Sequence, residues 1–190
     1  GTVTGVQTCA LPILVTTTGG VTSYDTDGSY FTLPSGSQFT FNGSTITAVN
    51  MTGDGALWLN PITTTTGNGT TGAITSTGSA TGIICAMNMD LRSTSLASQV
   101  YERRWQDVGT EVVFQWQNAA RYLSDGTERF SFQIRVTKSS GVVRVVYGNM
   151  TTIANSTTYQ PQVGLRGTTN ADYNNRRLTG TVPDATPNWG

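Results

Sequence analysis

The chain has 190 residues, eleven basic and eleven acidic side chains, a pI near 6.4, and only 12% charged against 36% hydrophobic residues. With 35 Thr, 22 Gly, 15 Ser and 12 Asn against one Lys and three Glu, it favours strands and turns and excludes a helical bundle or a coiled coil. No histidine occurs, which removes any triad, general base or zinc site that needs an imidazole, and the balanced charge gives no electrostatic case for a nucleic-acid partner.

Val3 to Ile13 reads VTGVQTCALPI and matches, codon for codon, the conceptual translation of a common short-read sequencing adapter. Residues 1–14 are therefore expected to be an assembly artefact, which leaves Cys85 as the one native cysteine and makes the missing signal peptide uninformative. Cys85 lies in the apolar run Ile83-Ile84-Cys85-Ala86 and reads as a small buried hydrophobe. The longest apolar run, Cys9 to Val15, is too short to span a membrane, so no membrane insertion is expected.

Short apolar segments separated by turn signals begin at Tyr30. Tyr30 to Leu33 ends at Pro34-Ser35-Gly36, and Gln38 to Phe41 turns at Asn42-Gly43, a strong hairpin signal, into a strand from Thr45 to Met51. Asp54-Gly55 then leads into Ala56-Leu57-Trp58-Leu59. Residues 63–82 are low in complexity and read as a long exposed loop or a weak edge strand. Beyond them Glu111 to Gln117 places Val112, Phe114 and Trp116 on one face. Phe130 to Thr137 alternates strictly between apolar and polar, and Lys138-Ser139-Ser140-Gly141 turns into Val142 to Tyr147. The pattern predicts an all-β protein, a two-sheet antiparallel sandwich of jelly-roll or related type, as a single domain over residues 15–180. Residues 181–190 read as the start of a truncated linker.

Residues 1–91 carry a net charge of −4 and residues 92–190 one of +4. That asymmetry suits either a polarised face or two halves that interleave and neutralise one another, and compact domains favour the second. The acids show no paired arrangement of the glycosidase kind, and Glu102, Glu111 and Glu128 read as solvated charges near strand ends. Asp25-Thr26-Asp27-Gly28-Ser29 has the opening of an oxygen-ligand loop without the later bidentate Glu, so Asp25 and Asp27 are candidates for a weak calcium site and no other cofactor is expected. For a sugar ring, which stacks on an exposed aromatic, the candidates are Trp105 and Tyr101 in the polar segment Tyr101-Glu102-Arg103-Arg104-Trp105-Gln106-Asp107. Trp116 reads as core.

Several segments, taken in order over about residues 30–180, resemble a β-sandwich module of large secreted and surface-anchored proteins of Bacteroidetes. They are Phe39-Thr40-Phe41-Asn42-Gly43, Gly53-Asp54-Gly55-Ala56-Leu57-Trp58-Leu59, Val112 to Asn118, Phe132 to Val136, Val143 to Gly148, Val163-Gly164-Leu165-Arg166-Gly167 and Asn170 to Arg176. Ala86-Met87-Asn88-Met89-Asp90-Leu91 also corresponds, but lacks the Trp and one of the two acids usual in that family. Such proteins commonly continue into fibronectin type III or immunoglobulin-like repeats and a type IX secretion sorting domain. The resemblance implies an extracellular or cell-surface location, a non-catalytic structural or adhesive role, and neighbouring domains of the parent chain as partners, with a surface glycan or protein as a further one. The alternative is an accessory carbohydrate-binding module of a secreted hydrolase.

Overall fold

The computed structural model describes residues 13–14, 28–61, 74, 80–92, 101–122, 128–150, 161–169 and 171–177. Among them, in chain order, lie β1 (Ile13–Leu14), β2 (Ser29–Thr32), a 3-10 turn (Ser35–Ser37), β3 (Phe39–Phe41), β4 (Ser44–Ile46), β5 (Ala48–Met51), β6 (Ala56–Leu59) and β7 (Gly82–Asn88). There follow β8 (Leu91–Arg92), β9 (Glu102–Asp107), β10 (Glu111–Arg121), β11 (Phe130–Thr137), β12 (Val143–Met150), β13 (Gln162–Arg166) and β14 (Tyr173–Arg177). One sheet has the order β1-β9-β10-β11-β12, with β8 added at the far end of β10, and the other the order β14-β13-β7-β6-β5-β2. The pairings are antiparallel, and the two sheets pack as the all-β sandwich that the alternation predicts.

Period-two patterning explains the first sheet. On β11, Phe130, Phe132, Ile134 and Val136 are at most 1% exposed, while Ser131, Gln133, Arg135 and Thr137 face outward. Trp116 of β10 stacks on Phe132 with ring centroids 5.2 Å apart, deep in the core, as its place in the alternation requires. Strand β10 continues four residues past the predicted Gln117, through a bulge. Trp116 pairs with Phe132 and Ala119 with Phe130, so Gln117 and Asn118 take up the extra length and Asn118 adopts φ +58°. The bulge keeps both Trp116 and Ala119 turned inward.

Asn42 and Gly43, at φ +46° and +75°, form the two-residue turn that the Asn-Gly pair signals, closing the β3–β4 hairpin. The segment Thr45 to Met51, read as one strand, is two. Ile46 and Val49 are both fully buried, which breaks strict alternation, so the chain leaves the hairpin at Thr47 and joins the second sheet as β5. Asn60 holds this crossing. Its Oδ1 accepts from the Thr47 and Ala48 amides at 2.9 and 3.1 Å, and its Nδ2 donates to Thr45 O at 2.8 Å.

Strand β7 is buried on both faces. Ile84 and Ala86 face the main core, while Ile83 and Cys85 join Ala56, Ala80 and Ile74 in a second cluster on the outer side of the sheet, with Trp58 packed against it. Of residues 63–82, read as an exposed loop or weak edge strand, only 74 and 80–82 are described, and Ile74 among them is 0% exposed in this outer cluster.

Candidate functional site

Three side chains of the first sheet and its approach reach across the core to three successive carbonyls. Arg103 Nη1 donates to Met51 O at 2.6 Å, Trp116 Nε1 to Thr52 O at 2.8 Å, and the Tyr101 hydroxyl to Gly53 O at 2.5 Å. These carbonyls lie where β5 ends and the chain bends through Gly53-Asp54-Gly55 into β6, and Gly55 has φ +77°. Buried carbonyls outside a ladder need donors, and here the opposite sheet supplies them. Asp54, 2% exposed, adds a fourth tie through its Oδ1, which accepts from the Leu91 amide at 3.0 Å.

Tyr101 is thus corrected from a sugar-stacking candidate to a buried strut: it is 1% exposed, and its hydroxyl is spent on Gly53. Trp105 is half-buried, and one face of its indole is covered by Phe31, stacked at 5.5 Å, so an open aromatic platform of two rings does not form in this segment. The polar look of Tyr101 to Asp107 came from its outward positions, Glu102, Arg104 and Gln106, while Tyr101 and Arg103 point inward. Asp25 and Asp27 lie outside the described residues. No group of three or more His, Cys, Asp or Glu side chains placed to hold a metal ion occurs among the described residues.

The acids are not the solvated edge charges that their neighbours suggest. Glu111 is 8% exposed and bridges two guanidinium groups, accepting from Arg135 Nε and Nη2 at 2.9 and 2.7 Å and from Arg144 Nη2. Hydrogen bonds from Arg135 above all hold its carboxyl below the usual range, outweighing desolvation, with Arg144 adding to them. Glu128, 6% exposed, takes a two-point contact from Arg121 at 2.7 and 3.1 Å. Asp107 receives Lys138 Nζ at 2.9 Å on both oxygens and the Ser37 hydroxyl at 2.8 Å. Burial works to raise its pKa, but these bonds and the Gly109 amide hold it low. Lys138 Nζ also donates to Gly36 O at 2.8 Å, which ties the 3-10 turn to this ion pair.

Beside the bulge, the outer face of the first sheet carries a groove of about 290 Å³ lined by Gln115, Gln117, Asn118, Ser131, Gln133 and Gly148, among others. Its carboxamides are linked in one direction. Arg135 Nη1 donates to Gln133 Oε1 at 3.3 Å, Gln133 Nε2 to Gln115 Oε1 at 2.7 Å, and Gln115 Nε2 to Gln117 Oε1 at 3.0 Å. The Asn118 amide donates to Ser131 Oγ at 3.1 Å. Sequence reading passed over these residues because outward polar positions on a strand look alike. The visible signal was three glutamines that fall on one face of neighbouring strands.

The profile of the family described as NIDO related matches residues 10–188. No curated protein and no solved structure matches the chain. With a match over nearly its whole length and a β-rich sandwich beneath it, the chain belongs to the NIDO-related family.

Proposed function

We propose that the chain is a non-catalytic structural or adhesive module of a large secreted or cell-surface bacterial protein, of the kind that Bacteroidetes export by type IX secretion. Family membership supports a non-catalytic module of extracellular type. The observation that carries the reading is the state of four of the carboxylates described on or beside the first sheet. Glu102, Asp107, Glu111 and Glu128 are each held by a cation, which suits bracing and leaves these groups poorly placed for proton transfer. The inter-sheet bonds of Tyr101, Arg103 and Trp116 likewise serve rigidity, which a spacer or adhesive unit requires.

Two measurements test this. The purified chain, incubated with a panel of polysaccharide, ester and peptide substrates, is expected to give no turnover, and beads coated with it are expected to adhere to a polysaccharide or protein surface, as uncoated beads do not. Turnover that disappears in Glu111→Gln would overturn the non-catalytic reading. A failure of the coated beads to adhere anywhere would leave the spacer role and remove the adhesive one.

A further inference from the structure

Strand β12 ends the first sheet and, among the described strands, pairs with β11 alone. An open strand edge is a template for another strand, and folds blunt such edges by shortness, charge, proline or a bulge. The other strands that end the two sheets follow this rule: β1 and β2 have two and four residues, and β14 carries two adjacent arginines. β12 has eight residues and a single charge, Arg144, which Glu111 holds. Val142 and Val146 are 53% and 42% exposed on its outer face, while Val143, Val145 and Tyr147 are only partly buried on the inner one.

The ladder fixes which backbone groups are open. The Thr137 amide donates to Val142 O at 2.9 Å, and Arg135 and Gln133 stand opposite Arg144 and Val146. Hydrogen-bonded pairs alternate along an antiparallel pair, so Arg144 and Val146, in phase with Val142, turn their amide and carbonyl groups to β11, and Val143, Val145 and Tyr147 turn theirs to the open side. The pairing irregularity lies beyond Tyr147, so this phase is unbroken from Val143 to Tyr147.

We propose that β12 is a self-pairing edge: two copies of the chain join antiparallel about a two-fold axis at Val146 and extend the first sheet across the pair. In this register Val145 of each copy exchanges two hydrogen bonds with Tyr147 of the other, Val146 faces its own equivalent, and Arg144 faces Gly148, which has no side chain to displace. The two Arg144 side chains then stand four residues apart along the ladder, about 14 Å, beyond the screening length of about 8 Å at physiological salt. Centring on Val145 would bring them to about 7 Å, and centring on Tyr147 would run the ladder into the irregularity. A second copy is the occupant because this one sequence supplies both halves of the match, a branched residue against an aromatic one and a glycine against the arginine. The inference goes beyond the adhesive reading and stands apart from it, since association of the free chain is measured without any surface.

Sedimentation of the full chain in reducing buffer is expected to show a dimer that grows with concentration, with a dissociation constant between about 10 µM and 1 mM, the range of a small interface. Val146→Lys sets two like charges face to face on the axis and is expected to raise that constant about tenfold or more with the melting temperature unchanged. The register is checked by cysteine substitution at 146 or at 142 in a Cys9→Ser background, followed by oxidation with copper phenanthroline. Facing residues of a non-hydrogen-bonded pair have Cα atoms about 4.5 Å apart, within disulfide reach, whereas the two copies of position 142 would lie about 27 Å apart along the ladder. Val146→Cys is therefore expected to give a covalent dimer and Val142→Cys none. A chain that stays monomeric up to about 1 mM would overturn the proposal and leave the edge to a strand of another protein. A dimer that Val146→Lys leaves intact, no cross-link at 146, or cross-linking at 142 as complete as at 146 would each overturn it as well.

Discussion

Trp116 lies in the first sheet and Thr52 just after β5 of the second, and the indole Nε1 of the first donates to the carbonyl of the second at 2.8 Å in a fully buried setting. Two neighbouring bonds, from Arg103 to Met51 and from Tyr101 to Gly53, make this a three-point seam along consecutive carbonyls. The seam explains why large side chains that carry a polar donor occupy these core positions. A purely apolar residue would fill the space and leave a carbonyl without a donor.

Tyr101→Phe removes only the hydroxyl and leaves Gly53 O buried. We expect a loss of about 1–3 kcal/mol, the cost of an unsatisfied buried acceptor. For a chain of this length that lowers Tm by roughly 2–12 °C. Trp116→Phe adds a cavity and is expected to cost more, about 2–5 kcal/mol. Thermal denaturation of both variants checks the order.

Gly55 is fixed by two constraints at once. Its φ of +77° is unfavourable for any side chain, and a Cβ there would stand 2.8 Å from Met87 O and 2.9 Å from Phe132 Cζ. Gly55→Ala is expected to destabilise by more than the roughly 1–2 kcal/mol of the backbone conformation alone, because Met87 O belongs to a neighbouring strand and cannot swing aside. Gly43→Ala in the exposed hairpin turn has nothing within 4 Å of its Cβ and is expected to cost only the conformational term. Urea denaturation of the two variants separates strain from crowding.

Glu111 gives the acid limb of stability a specific origin. Its folded pKa is depressed, so the stability it contributes is fully present above the ordinary carboxylate value of about 4.3 and is lost as pH falls through the lower folded value. Asp107, also depressed, acts in the same direction. Melting temperature measured from pH 7 down to 2 is expected to fall most steeply below about pH 4 in the parent chain. In Glu111→Gln the curve is expected to start lower and to fall less. A parallel curve in the variant would show that Glu111 is not a titrating contributor.

Cys85 is fully buried, and desolvation pushes its thiol well above the usual cysteine range. In a Cys9→Ser background, native protein at pH 8 is expected to show no reaction with a thiol reagent over minutes, and one equivalent of thiol once denaturant is added. Prompt labelling of the native chain would mean that the outer cluster of Ala56, Ile74, Ala80 and Ile83 opens readily.

By itself the sequence determined the fold class and much of the core. Alternation along Phe130 to Thr137 dictates which four side chains are buried, Asn42-Gly43 dictates a tight hairpin, and a β-branched, charge-poor composition leaves little but sheets. These are local properties, set by pleat geometry and backbone conformation within a few residues, so they are legible in one dimension. What only the tertiary structure decided is what each polar atom faces. Tyr101 and Trp105 sit four residues apart in a polar segment, yet the hydroxyl of one finds a carbonyl 48 positions away while the ring of the other stacks on Phe31. Glu111 looks solvated until Arg135 and Arg144 close on it from the next strands, and the direction of the glutamine chain exists only once Arg135 lies beside Gln133. Hydrogen bonds and ion pairs are short-ranged and directional, so their partners are fixed by how strands cross and align, and that register is written in no single segment.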